Sequence, residues 1–167
     1  MNRKKDRSLR FWLIPALLML AACSPPAGER SGAAPPASTT LHPVSGLQVI
    51  PLTISHGGES HLFRVEVART GQEQAHGLMF RTEMGSDEGM LFPFRPPRRA
   101  SFWMKNTVIP LDILFIGPDG RISNIAANAV PYSLSPLVSD GTAMAVLELN
   151  GGRAAQLGIV PGAKVAW

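Results

Sequence analysis

Six side chains in this sequence have types that could bind or transform a small polar molecule: Arg81, Trp103, Lys105, Asn106, Asp112 and Glu148. Four of them fall in one otherwise apolar stretch, "SFWMKNTVIPLDILFI", residues 101–116. An aromatic ring beside charged and amide groups suits a small polar ligand or a glycan. The two carboxyl groups, Asp112 and Glu148, would suit acid/base hydrolysis if their separation were appropriate.

Two extended segments, "SFWMKN" and "LDILFI", must position these residues, and we expect them to pair as a hairpin. Pro110 lacks an N–H group and is therefore placed in the connection between them. If Lys105 lies opposite Asp112, the two charges can form an ion pair beside Trp103. A shift of one residue places Met104 opposite Asp112 and separates the charges. The first register is favoured because it leaves one face of the hairpin wholly apolar.

Two interpretations of this predicted hairpin are open. In the first, the ion pair only closes the hairpin, and Asn106 caps the turn through its side chain. In the second, Trp103, Lys105, Asn106 and Asp112 form a polar cluster with Arg81 at the mouth of the fold, where ligands often bind.

Residues 1–22 have the pattern of a secretory signal peptide: a basic start followed by the apolar stretch "FWLIPALLMLAA". That stretch is too short to span a bilayer. Cys23 is the only cysteine of the chain and ends "LAAC", which resembles the lipobox of bacterial lipoproteins. The resemblance implies a lipid on Cys23, and Ser24 implies sorting to the outer membrane, with the domain facing the periplasm. The alternative is an ordinary cleavage site and a soluble periplasmic protein.

Residues 23–46 are predicted to be the lipidated cysteine and a disordered tether, because the segment is rich in Pro, Ala, Ser and Gly. The folded domain is predicted at residues 47–167, which is enough chain for one core. Of the 16 basic and 12 acidic residues, 11 of each follow residue 22. A balanced charge gives no basis for a nucleic-acid partner, so the predicted partner is the membrane, reached through the lipid anchor.

Strand patterns dominate the predicted domain. "LQVIPLTIS" and "LFRVEVART" alternate on either side of "HGGESH" and predict a hairpin, and "IGPDGR" predicts another turn. "TGQEQAHGLMF" predicts a short helix that begins with a capping box at Thr70 and Glu73, and "GGRAAQLGI" predicts a second. "RPPRR" is expected to break the strand that "GMLFPF" begins. The predicted fold class is mainly β: a compact antiparallel β-sandwich or small barrel with two short helices.

Five separated motifs occur in an order that resembles the DUF192, or UPF0127, family: "HGLMFR", "DEGMLFPF", "SFWMKNTVIPLDILFI", "AVLELNGG" and "LGIVPG". The resemblance covers about residues 47–165. It implies a compact β-sandwich or barrel with short helices, which agrees with the strand patterns, and it implies no reaction. The six candidate residues fall within these motifs. Many relatives have a pair of cysteines after the "PLDI" segment, and this chain has none there.

No nucleotide-binding, zinc or nucleophile motif occurs in the sequence. His56 and His61 flank a turn, but two ligands do not make a metal site, so neither a metal nor a cofactor is predicted. The first hypothesis is an envelope-anchored binding or scaffold module for a small polar ligand or glycan. The second is a structural or assembly accessory without a ligand site. A hydrolase of envelope material, with Asp112 and Glu148 as acid and base, ranks last.

Overall fold

The computed structural model describes residues 40–167, so the predicted signal peptide and Cys23 lie outside the described residues. Within that range the chain forms eight strands and two short helices. In chain order these are β1 (Thr40–Leu41), β2 (Gln48–His56), β3 (Glu59–Val67), α1 (Gly71–His76), β4 (Glu88–Phe102), β5 (Leu111–Ile116), β6 (Ile122–Ala129), β7 (Leu137–Asn150), α2 (Arg153–Gln156) and β8 (Lys164–Ala166). The predicted mainly β class with two short helices is confirmed.

The described strands belong to one sheet in the order β1-β2-β3-β4-β7-β5-β6, with β8 paired to β2. Their pairings are antiparallel except that of β3 with β4, which is parallel. The chain makes that connection through α1, a helical crossover that the strand patterns did not predict. An isolated bridge joins Arg121, just before β6, to Lys164 in β8. The finer prediction of a sandwich or small barrel stays a prediction.

Local sequence explains several of these elements. Thr70 accepts a hydrogen bond from the Glu73 N–H group, and the Glu73 carboxylate accepts one from the Thr70 N–H group at 2.8 Å. This is the predicted capping box, and it sets where α1 begins. The turn between β5 and β6 holds Gly120 at a φ of 74°, a conformation that glycine adopts without steric cost.

Strand β4 does not end at its prolines, as the sequence suggested. It pairs with β7 up to Pro93 and again from Arg98, and the residues between them form an irregularity in the ladder. Proline is tolerated there because a bulge needs no ladder hydrogen bond from it. The longer strand carries the chain on to Phe102, directly before the candidate residues.

The predicted hairpin between "SFWMKN" and "LDILFI" is wrong. Strand β7 lies between β4 and β5 and pairs with both. Residues 103–110 are a loop rather than a strand. Neither predicted register therefore exists, and Lys105 has no cross-strand position opposite Asp112.

Two apolar clusters cover the two faces of the sheet. The first contains Leu114, Leu147 and Ala154 of α2. The second contains Leu78, after α1, and Met104, in the loop that follows β4, together with the rings of Phe92 and Phe115. Phe92 and Phe115 are thus core residues. The folded part also begins earlier than residue 47, because β1 pairs with β2.

Candidate functional site

Glu148 lies near the end of β7, in the middle of the sheet, where it is opposite Met90 of β4 and Ile113 of β5. Directly opposite residues share a face of a sheet, so its side chain points to the face of the second cluster, which contains both partners. Only 5% of the residue is exposed. An acidic side chain therefore stands on an apolar face among core residues.

No group among residues 40–167 neutralises or hydrogen-bonds this carboxyl. Burial alone raises the pKa of Glu148 to about 8, since desolvation disfavours the charged form. Among residues 40–167 the Glu148 carboxyl accepts and donates no hydrogen bond, and Glu148 is one of the residues that line a cavity.

This cavity, called the Glu148 cavity below, has a volume of about 430 Å³. Helix α1 and the turn after it form one wall, and the end of β4 with the following loop forms the other. Its apolar lining includes Leu78, Met79, Phe92 and Phe102. The rings of Phe92 and Phe102 meet edge to face with centroids 5.1 Å apart, which fixes the apolar floor around the carboxyl.

Trp103 and Lys105 also line the Glu148 cavity. Both are exposed, and the Lys105 ammonium lies 5.2 Å from the centre of the Trp103 ring. The loop brings them there because it leaves β4 at Phe102 and its buried Met104 anchors it to the second cluster. Three of the six candidate residues, Trp103, Lys105 and Glu148, are thus brought together by the fold.

Asp112 is fully buried and lies elsewhere. One of its oxygens accepts hydrogen bonds from the N–H groups of Asn128 and Gly152, at 2.8 and 2.9 Å. The other accepts from the N–H group of Ala154 at 2.8 Å. The carboxylate thereby ties the end of β6 and the start of α2 to β5, which is an architectural role.

Asp112 and Glu148 point to opposite faces of the sheet. Asp112 is opposite Leu149, whereas Glu148 is opposite Ile113, and neighbouring residues of a strand point to opposite sides. The two carboxyl groups cannot flank one substrate bond. The predicted acid/base pair, and the hydrolase that depended on it, is therefore wrong.

Arg81 is part of a separate ion pair. Its guanidinium donates two hydrogen bonds to the buried carboxylate of Glu66, at 2.9 and 3.1 Å. Ser45 also donates to Glu66, and His42 lies 3.5 Å from it. This cluster fixes the turn after β1 against β3, and it borders a larger, open groove rather than the Glu148 cavity.

Asn106 supports the loop through its backbone. It has a φ of 56°, and its carbonyl accepts a hydrogen bond of 2.9 Å from the Phe80 N–H group. Its side-chain amide lies 3.8 Å from the Met79 sulfur. Asn106 therefore links the loop after β4 to the turn after α1, and it does not cap a hairpin.

The cavity also contains polar residues that were not among the six candidates, namely Gln74 and His76 of α1 and Arg98 of β4. Gln74 donates to the carbonyls of Ala68 and Pro93, which holds α1 against the sheet. The parallel crossover through α1 places these residues over the sheet. No local sequence pattern predicted that crossover.

Two further findings concern the described part of the chain. Among residues 40–167, no three His, Cys, Asp or Glu side chains come together in a way that could hold a metal ion. In the same residues no helix has the length and apolar character needed to cross a bilayer.

The fold and site define a mainly β domain with a small cavity that ends at a buried acid. The chain belongs to the DUF192 family, described as "Uncharacterized ACR", whose model matches residues 52–167. No curated protein matches the chain significantly.

Two solved structures are similar over most of the chain. A protein of unknown function from Novosphingobium aromaticivorans DSM 12444 is 60% identical, with a TM-score of 0.76 over 81% of this chain and 94% of that one. A protein from Sinorhizobium meliloti 1021, provisionally described as a transcription regulator, is 40% identical, with a TM-score of 0.70 over 72% of this chain and 94% of that one.

Proposed function

We propose that this protein is an envelope lipoprotein whose domain binds a small polar ligand, such as a glycan, in the Glu148 cavity. The observation that supports it most is that the buried Glu148 carboxyl has no bonding partner among residues 40–167 and lines a cavity. Buried polar groups in folded proteins are almost always hydrogen-bonded. A group without a partner, placed at a cavity, is therefore a candidate for bonding with something that enters.

The chemistry of the cavity suits a neutral, hydroxyl-rich ligand. With a pKa of about 8, Glu148 is mainly protonated at neutral pH, so it can donate one hydrogen bond and accept others. The exposed ring of Trp103 offers a flat apolar surface at the entrance. The volume of about 430 Å³ lies within the roughly 300–1,000 Å³ of small-molecule sites.

A panel of neutral monosaccharides and disaccharides, including N-acetylated ones, tests this binding by ligand-observed NMR. We expect at least one sugar to bind, and we expect Glu148→Leu to weaken that binding about tenfold or more, because one buried hydrogen bond to a ligand is lost. The control is Glu59→Gln, which changes an exposed acid of the β2–β3 hairpin. If no sugar binds, or if Glu148→Leu binds as the unchanged chain does, the proposal is wrong.

The lipid anchor is tested separately, on the full chain in a bacterial host. Metabolic labelling with an alkyne fatty acid should label the unchanged protein and not Cys23→Ala. Absence of label on the unchanged protein would contradict the anchor while leaving the cavity unaffected.

A further inference from the structure

Three neighbouring loop segments carry large apolar side chains that face solvent. The segments are 79–81, 103–107 and 130–134, and backbone hydrogen bonds join them. The N–H groups of Phe80 and Tyr132 donate to carbonyls of the 103–107 segment at 2.9 and 3.2 Å, and the Met104 N–H group donates to the Ser133 carbonyl at 2.9 Å. These bonds hold the segments at fixed relative positions.

The exposed side chains of these segments, between 51% and 67% exposed, form what is called the apolar rim below: Phe80, Trp103, Val130, Tyr132 and Leu134. Scattered exposed apolar residues are normal on a protein surface. A set that comes from three hydrogen-bonded segments is different, because clustered exposed apolar residues typically mark an interaction site.

Two residues of the rim have a strained backbone. Phe80 and Tyr132 have φ values of 63° and 61°, in the left-handed region that bulky residues avoid. Such a conformation costs on the order of 1–3 kcal/mol. Neither ring recovers that cost by burial, since both stay exposed. Strain of this kind is typical of residues that act in binding.

Positive charge flanks the rim. Residues 89–111 contain four exposed basic side chains and no acidic one, and residues 130–136 are uncharged. The four are Arg95, Arg98, Arg99 and Lys105. Of these, Lys105 lies beside the Trp103 ring. Two exposed acids lie near the rim segments: Asp140 of β7, and Glu83, which lines the same groove as Phe80. Glu148 is buried and mainly protonated at neutral pH.

We propose that the apolar rim docks on an anionic phospholipid surface. Trp and Tyr side chains concentrate at membrane–water interfaces, where the ring is partly apolar and partly wet. Lys and Arg next to such rings contact lipid phosphates, each contributing about 1 kcal/mol. A second copy of the chain fits less well, because a symmetric interface places the same patch on both sides and would bring the basic side chains of both copies together.

The position of the apolar rim also supports docking on a phospholipid surface. Trp103 and Lys105 belong to the rim region and also line the Glu148 cavity, so a docked domain would open its cavity toward the lipid surface. Phe80 lines the open groove together with residues 42–47, so the chain enters the domain next to the rim. Strand β1, the first described element, directly precedes the residues of that groove.

Docking can be measured without the lipid anchor. Residues 40–167 lie in one compact unit, and 94% of the solved Novosphingobium chain is covered by its match to this one, so this part folds on its own. The probes are vesicles of pure phosphatidylcholine and of phosphatidylcholine with phosphatidylglycerol. In Trp167→Phe, Trp103 is the remaining tryptophan of residues 40–167, and we expect its emission to shift to the blue with the anionic vesicles.

Matched variants distinguish docking through the apolar rim from nonspecific adsorption of the protein to vesicles. Leu134→Ser should weaken vesicle binding about tenfold, because one interfacial apolar side chain is lost. Leu62→Ser changes an equally exposed leucine, 63% against 65%, on β3 away from the rim and should bind as before. Lys105→Gln should weaken binding about fivefold, and Lys164→Gln, on β8, should not.

Three results would overturn the inference. The first is no binding to anionic vesicles. The second is an equal loss in Leu62→Ser and Leu134→Ser. The third is a concentration-dependent dimer that Leu134→Ser abolishes, which would make the rim an interface between copies. These outcomes are distinct from failure of the proposed ligand binding, which is measured with sugars and with Glu148→Leu.

Discussion

Asp112 and Glu148 are buried carboxyl groups on adjacent strands, and their surroundings are opposite. Asp112 accepts three hydrogen bonds from backbone N–H groups. Glu148, one register position away and on the other face, accepts none from residues 40–167 and opens into a cavity. Asp112 thus has a structural role, whereas the Glu148 carboxyl has no partner among residues 40–167 and can still form hydrogen bonds.

The surroundings of Glu148 affect its protonation. Burial disfavours the charged form of its carboxyl and raises its pKa to about 8, so the group holds its proton at neutral pH. Glu148 therefore lowers the free energy of unfolding at every pH at which its carboxyl would be ionised in the unfolded chain. Its presence in the apolar floor agrees with the proposed ligand site.

The largest expected effect is on the architectural side of the comparison. Asp112→Ala should lower the free energy of unfolding by about 4 kcal/mol, because three buried N–H groups lose their acceptor at once. Urea denaturation measures it. Asp119→Ala is the control: Asp119 accepts one bond from the Arg121 N–H group in an exposed turn, and its loss should cost about 1 kcal/mol or less. Equal effects of the two substitutions would contradict the assigned role of Asp112.

Glu148→Gln should have a smaller effect, and one that depends on pH. The folded-state pKa of about 8 lies above the ordinary glutamate value of about 4.3, so the unfolded chain loses its proton first as pH rises. Stability is therefore lost between about pH 4.5 and pH 8. The free energy of unfolding of Glu148→Gln, relative to that of the unchanged chain, should rise by about 3 kcal/mol between pH 5 and pH 8. The difference between the two chains, measured by denaturation at each pH, removes the contributions of other groups. A constant difference would show that Glu148 is not held protonated.

The Arg81–Glu66 pair is a third case, a buried acid neutralised by a partner. Arg81→Lys should lower the free energy of unfolding by about 2 kcal/mol, because lysine cannot make the two parallel hydrogen bonds. Arg153 pairs with the exposed Asp87, and Arg153→Lys should cost under about 1 kcal/mol. If Arg153→Lys lowers the free energy of unfolding as much as Arg81→Lys does, burial does not determine how strongly these ion pairs stabilise the fold.

Local patterns predicted much of the fold. The capping box at Thr70 and Glu73 placed α1, and the "IGPDGR" turn placed the β5–β6 hairpin. The prolines after Phe94 misled, because a bulge lets β4 continue past them. A proline in the sequence can mark either a β-bulge or the end of a strand, since a ladder hydrogen bond is absent in both cases.

The site was only partly predictable. Trp103, Lys105 and Glu148 were recognised and do come together. Asp112 was misplaced because β7 lies between β4 and β5. Strand order depends on pairing between distant segments, and that pairing leaves no local signal. For the same reason, the contribution of α1 to the cavity could not be read from its own six residues.

The most direct test of the account is the pKa of the Glu148 side chain. NMR of residues 40–167 with carboxyl-labelled glutamate, titrated with pH, follows each carboxyl group, and Glu148→Gln identifies the signal that belongs to Glu148. We expect a midpoint near pH 8 and a shift of this signal when a sugar binds in the cavity. A midpoint near the ordinary value of about 4.3 would mean that Glu148 is solvated or paired, and it would contradict the central claim.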